Sequence, residues 1–146
     1  MKEDFKNYLS SIGVTAKVLS ERIETIYQFY QSIGLDEITG IFLTDYILSD
    51  GTRLFESLWF FSENFAMEAK QFLVEDNFDM SLLHKRVHYW NIKKQNYDFK
   101  KATEKSRLYI GFILNTGAGS FLKASKENCD YLKEIFLKYF IPNLKK

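Results

Sequence analysis

The chain has 146 residues, a formal net charge of +1, one cysteine and 17% aromatic side chains. That is one domain's worth of chain, long enough to bury about 70% of its unfolded surface, so neither a disulfide nor a metal is needed to hold it. A lone cysteine excludes an intramolecular disulfide, no apolar run approaches the ~18 residues of a membrane span, and Met1-Lys-Glu-Asp-Phe-Lys6 lacks the apolar centre of a signal peptide, so the expectation is a soluble protein of a bacterial-type cytoplasm.

Residues 3–12 form a first predicted helix, with Phe5, Tyr8, Leu9 and Ile12 on one side and Gly13 ending it. Thr15 is a candidate cap for a second helix. It runs to Ile33, with Leu19, Ile23, Ile26, Tyr30 and Ile33 at helical spacing and Gly34 at the C′ position. The seam spans about two heptads, fewer than the ~3–4 of a lasting coiled coil, so packing on its own domain is expected, with a homodimer as the other use of the same face.

From Glu37 the period changes. Ile38–Leu48 is β-branched and aromatic, Ser49-Asp50-Gly51 signals a hairpin turn, and Thr52–Phe61 resumes the strand pattern. After Ser62-Glu63-Asn64, the residues Phe65, Met67, Ala69 and Leu73 alternate with Glu68 and Lys70, which predicts a third strand with one wet face. Glu75-Asp76-Asn77 is a further turn. Residues 79–92 fit a helix or a strand; because an antiparallel meander is already under way, a strand from about Leu83 to Lys93 is expected. Asn96–Lys105 reads as a polar loop anchored by Tyr97 and Phe99. Arg107–Asn115 is a strand with Leu108, Ile110, Phe112 and Leu114 on one face. Thr116-Gly-Ala-Gly119 turns into a short strand, Phe121–Ala124.

The C-terminal helix is the element the rest is built to receive. Ser125 is its expected N-cap and Glu127 suits the positive end of its dipole. Cys129, Leu132, Ile135, Phe136, Tyr139 and Phe140 form one apolar stripe; Lys126, Asp130, Lys133, Glu134 and Lys138 take the wet arc. Pro142 disfavours helix at Ile141, so the helix should end near Phe140. Two aromatic rings in its last turn call for a broad apolar surface to dock on.

This order resembles the pleckstrin-homology-like fold of bacterial domains, in which a bent antiparallel sheet is plugged by a final helix. The residues carrying the likeness are Arg107–Asn115, Phe121–Ala124 and the stripe Cys129–Phe140. The resemblance implies an α+β protein: an N-terminal two-helix element (1–36) packed on a barrel-like antiparallel sheet with its capping helix (37–146), one structural unit. The eukaryotic lipid-binding members carry a basic cluster in the first hairpin. Here that hairpin has only Arg53, and the tryptophan of their last helix is replaced by Phe136 or Phe140. Phosphoinositide recognition is therefore not implied.

Candidate chemistry is sparse. His84 and His88 are the only histidines, too few for zinc and set beside Lys85 and Arg86, so no metal is expected. The Thr116–Ser120 glycine run lacks the Gly-Lys-Ser/Thr and following helix of a phosphate loop. Cys129 lies on the apolar stripe with neither histidine near it in sequence, and no Gly-x-Ser-x-Gly elbow exists. The chain is read as a non-enzyme without cofactor.

Charge supplies the remaining signal. Residues 1–84 carry six basic and fourteen acidic side chains, whereas 85–146 carry fourteen basic and five acidic. The steepest stretch is 85–107, and within it Trp90, Lys93, Lys94, Lys100, Lys101 and Arg107 are the candidate partner-binding residues. Another protein is the expected ligand of this non-catalytic binding or adaptor domain. The alternatives are an anionic membrane or nucleic acid on the same basic face, where rings stack and lysines neutralise phosphate, or a small inhibitor or immunity-type protein. Ordinary solvated lysines beside a core Trp90 and Phe99 are the simpler reading.

Overall fold

Two α helices lead the chain, α1 (Glu3–Ser11) and α2 (Lys17–Ile33). A run of four strands follows: β1 (Gly40–Ile47), β2 (Arg53–Phe61), β3 (Phe65–Lys70) and β4 (Phe78–Leu82). Then come β5 (Val87–Gln95), β6 (Arg107–Leu114), β7 (Gly119–Ser125) and α3 (Asn128–Ile135), which continues as a π-helical turn over Phe136–Phe140. This computed structural model describes residues 1–33, 36–73, 78–82, 87–95, 107–114 and 119–140, with the backbone alone for 78–82, 87–95, 107, 109–114 and 119–121. The expected α+β class holds.

Both sheets are antiparallel meanders. One has the order β1-β2-β3-β4 and the other β5-β6-β7, and among the described residues no backbone ladder joins them. The strands expected at Ile38–Leu48, Thr52–Phe61, Arg107–Asn115 and Phe121–Ala124 are present within a few residues of their expected ends. The Asp50-Gly51 turn forms as its chemistry requires. Gly51 takes φ +90°, a conformation costly to a side chain, and the Asp50 carboxylate accepts the Thr52 N–H at 2.9 Å.

β2 explains the layering. Leu58-Trp-Phe-Phe61 is buried without alternation, each residue 3% exposed or less. A strand apolar on both faces needs a cover on both. Phe60 meets Tyr27 and Tyr30 of α2 at ring distances of 5.5 and 5.9 Å, and Phe5 of α1 at 6.5 Å. Its neighbour Phe61 points to the opposite face and stacks on Tyr139 at 4.7 Å, with Phe140 edge-on at 6.2 Å. Each of these large side chains contributes about 1.5–3 kcal/mol by leaving water.

The strand expected from Leu83 to Lys93 is present as β5, with 83–86 outside the described residues. The strand β4, which completes the first sheet on β3, was not expected; β5 opens the second sheet on β6. Three expectations are corrected. Glu68 does not sit on a wet face; β3 is an interior strand, and Glu68 lies opposite Trp59, buried. Leu73 is 51% exposed because the positive φ of Gln71 ends the alternation and sends Phe72 inward instead. Ile33 drifts off the buried seam of α2, which is carried by Ile23, Ile26, Tyr27 and Tyr30. The expected turn at 75–77 and the loop at 96–105 lie outside the described residues.

The stripe of the final helix is as expected: Cys129, Leu132, Ile135, Phe136, Tyr139 and Phe140 are all buried. Its expected cap is not. α3 starts at Asn128, and Glu127 stands at the N-cap without a side-chain cap bond. Ser125 is the last residue of β7, and its hydroxyl is used elsewhere.

Candidate functional site

The most heavily built polar constellation among the described residues lies where β1, at one end of the ladder order of the first sheet, meets β7 and the start of α3. Its centre is Asp45, 1% exposed within a strand of apolar residues. A register shift between Leu43 and Asp45 sets it up. Leu43 pairs with Leu58 but Asp45 with Phe55, so β2 has one residue more than β1 across this step. Thr44 mends the interrupted ladder: its hydroxyl accepts the Ser57 N–H at 2.8 Å and returns a bond to the Ser57 carbonyl at 3.3 Å. The extra residue flips the phase of β2, which brings Arg53 onto the face of Asp45.

Four donors then converge on one carboxylate. Asp45 Oδ1 accepts from the Ser125 backbone N–H at 3.1 Å and from Asn128 Nδ2 at 2.7 Å. Oδ2 accepts from Arg53 Nε at 2.8 Å and from the Ser125 hydroxyl. Arg53 also donates to the Ile12 carbonyl at 3.0 Å and to Glu127 at 2.5 Å, tying the end of α1 to the start of α3.

A second set of bonds surrounds the Leu43 peptide groups. The Leu43 N–H donates to the Tyr8 hydroxyl at 2.9 Å, that hydroxyl donates to Asn128 Oδ1 at 2.8 Å, and Asn128 Nδ2 donates to the Leu43 carbonyl at 2.8 Å. Side chains far away in sequence thus supply what a neighbouring strand would otherwise supply. Lys123 of β7 adds a tie further along, with Nζ 2.5 Å from Glu56 and 4.4 Å from the Tyr46 ring centroid.

The electrostatics suit a dry, closed contact. Burial pushes the Tyr8 phenol well above its usual range, so it stays a neutral donor. Burial raises the Cys129 thiol to about 12, with the charge of Asp45 adding to it. Burial also pushes Glu127 upward, but the hydrogen bond and charge of Arg53 outweigh it and hold that carboxyl below the usual glutamate range. The two Asp45 carboxylate oxygens each take two donors, which fills their acceptor sites. The arrangement fixes geometry and offers no open position for chemistry.

The sequence-predicted residues lie elsewhere. Trp90, Lys93 and Lys94 are on β5, and Arg107 opens β6 opposite Gln95. Successive strand positions belong to opposite faces, so the Trp90 and Lys94 positions share one face and Lys93 takes the other. Lys94 pairs with Leu108, a buried residue. Lys100, Lys101 and His84 lie outside the described residues, and His88 is on β5. Among the described residues no three His, Cys, Asp or Glu side chains gather as a metal would need, and no helix is long and apolar enough to cross a membrane.

Sequence reasoning missed Asp45, Asn128 and Tyr8 as a group. The available signal was a carboxylate alone inside Gly40-Ile-Phe-Leu-Thr-Asp-Tyr-Ile47, a run otherwise suited to burial. Compared with known proteins, the chain matches no family profile, no curated protein and no solved structure.

Proposed function

We propose that this chain is a non-catalytic binding or adaptor domain of pleckstrin-homology-like shape, acting in the cytoplasm on another protein. The shape is supported by four antiparallel strands, then three, then a helix whose Tyr139 and Phe140 rings meet Phe61 of the first sheet and which also packs against β7 of the second. The non-catalytic role is supported by the closed polar constellation at Asp45, where donors and acceptors satisfy one another.

The observation that carries the protein-binding reading is the outer edge of β5. Among the described residues this nine-residue strand pairs only with β6. An unladdered edge offers backbone N–H and C=O groups to an extended segment of a partner, and the Lys93 and Lys94 positions favour an acidic one.

The test is binding of an acidic β-prone peptide, anionic vesicles and a single-stranded oligonucleotide, each at low and high salt. The proposal predicts saturable peptide binding that weakens modestly with salt, because main-chain bonds carry much of it. Vesicle or oligonucleotide binding that falls steeply with salt and disappears when Lys93, Lys94, Lys100 and Lys101 are reversed would replace it with the anionic-surface reading.

A further inference from the structure

The C-terminal helix is pinned at two places, to β1 and to Thr39 just before it. At its start, Asn128 bonds Leu43 and Asp45. Near its end, the Tyr139 hydroxyl lies 2.7 Å from Thr39 Oγ1. The helical run from Asn128 to Tyr139 is about 16 Å long at 1.5 Å per residue. The chain from Thr39 to Asp45 is about 20 Å at 3.3 Å per residue. The helix therefore lies along β1 with a polar pin near each end and the Phe61–Tyr139 ring stack beside the second.

Two further features set this helix apart. Lys126, between Ser125 and Glu127, has φ +51°, a left-handed conformation that a side chain adopts at a cost. The last five residues are π-helical, a rare form that appears mostly as single turns within α-helices. Backbone departures thus stand at both ends, each next to a pin. Burying six apolar side chains and ordering thirteen residues are opposing contributions of similar size. The pins then decide whether the helix stays down.

We infer that the helix from Asn128 to Phe140 is a strap: it lifts from β1 as a unit about Lys126, while the first sheet and α2 remain folded. The open state uncovers the Leu43 peptide groups and the ring of Phe61 together, a mixed polar and apolar strip along the edge of β1. This opening is independent of whether β5 binds a partner.

Cys129, the only cysteine, is buried on the strap and serves as its reporter. The experiment measures labelling of Cys129 by a small water-soluble disulfide reagent in sub-denaturing urea, beside amide exchange over residues 53–70 in the same protein. The strap predicts labelling through an opening with a weaker urea dependence than exchange in β2 and β3. It also predicts that Tyr139→Phe, which removes only the distal pin, speeds labelling about 2- to 12-fold and leaves exchange in 53–70 unchanged. Labelling with the same urea dependence as the β2 and β3 amides overturns it, as does equal acceleration of both by Tyr139→Phe.

Discussion

Phe60 and Phe61 are adjacent on one strand, and the two helical covers they meet are held in different ways. On the Phe60 face, α2 contributes Ile23, Ile26, Tyr27 and Tyr30, a largely apolar contact with a polar tie from Arg22 Nε to the Phe72 carbonyl at 2.7 Å. On the Phe61 face, α3 brings a comparable apolar stripe but is also pinned by Asn128 and Tyr139. Apolar packing is non-directional, so it can place a helix on a sheet without fixing where along the strand it stops. Hydrogen bonds to Leu43, Asp45 and Thr39 fix that position. The first cover reads as a matter of burial; the second adds specificity of register.

The most severe way to break the comparison is Asp45→Ala. It leaves Arg53 half-buried with only Glu127 as a carboxylate partner and strips an acceptor from Asn128 and Ser125. We expect a loss of about 3–5 kcal/mol in urea unfolding. Ile26→Ala, on the α2 side, should cost about 2–5 kcal/mol through its cavity alone. It should also leave the pH dependence of stability unchanged, which separates the two contacts even where the losses are equal in size.

A smaller effect is expected at Gly40. A Cβ there would run into the Tyr139 ring and hydroxyl. Gly40→Ala should therefore displace the ring from Phe61 and cost about 1–3 kcal/mol. A downfield shift of the ring-stacked Phe61 and Tyr139 proton resonances would report the displacement.

The mildest handle is pH. Glu127 binds its proton less tightly folded than unfolded, so its contribution is complete above the ordinary glutamate range and is lost as pH falls through the lower folded value. Stability should thus decline on acidification. Glu127→Gln should flatten that decline in urea midpoints measured from neutral pH downward.

How much of this was legible in the sequence depends on what each residue answers to. The stripe Cys129–Phe140 and the strand pattern of 38–61 follow from periodicity and turn chemistry, which are local. Asp45 was not legible as a hub because its partners come from β2, β7 and α3, up to 83 residues away. Ser125 misled for a related reason: its type and place suit a helix cap, but a buried carboxylate claimed the hydroxyl. The extra residue on β2 hides in Glu56-Ser57, a polar pair that looks like an ordinary wet step and in fact changes which face Arg53 occupies. The proposed binding residues were chosen on charge, a property that marks a surface without saying what meets it.

The central claim is that a buried carboxylate and its partners hold the edge of β1 to the second half of the chain. A double-mutant cycle with Asp45→Asn and Arg53→Met, read by urea unfolding, tests it most directly. The account predicts that the double variant is more stable than the sum of the single losses by more than about 1.5 kcal/mol, because each single change strands its partner in the interior. Losses that add to within about 0.5 kcal/mol would contradict it.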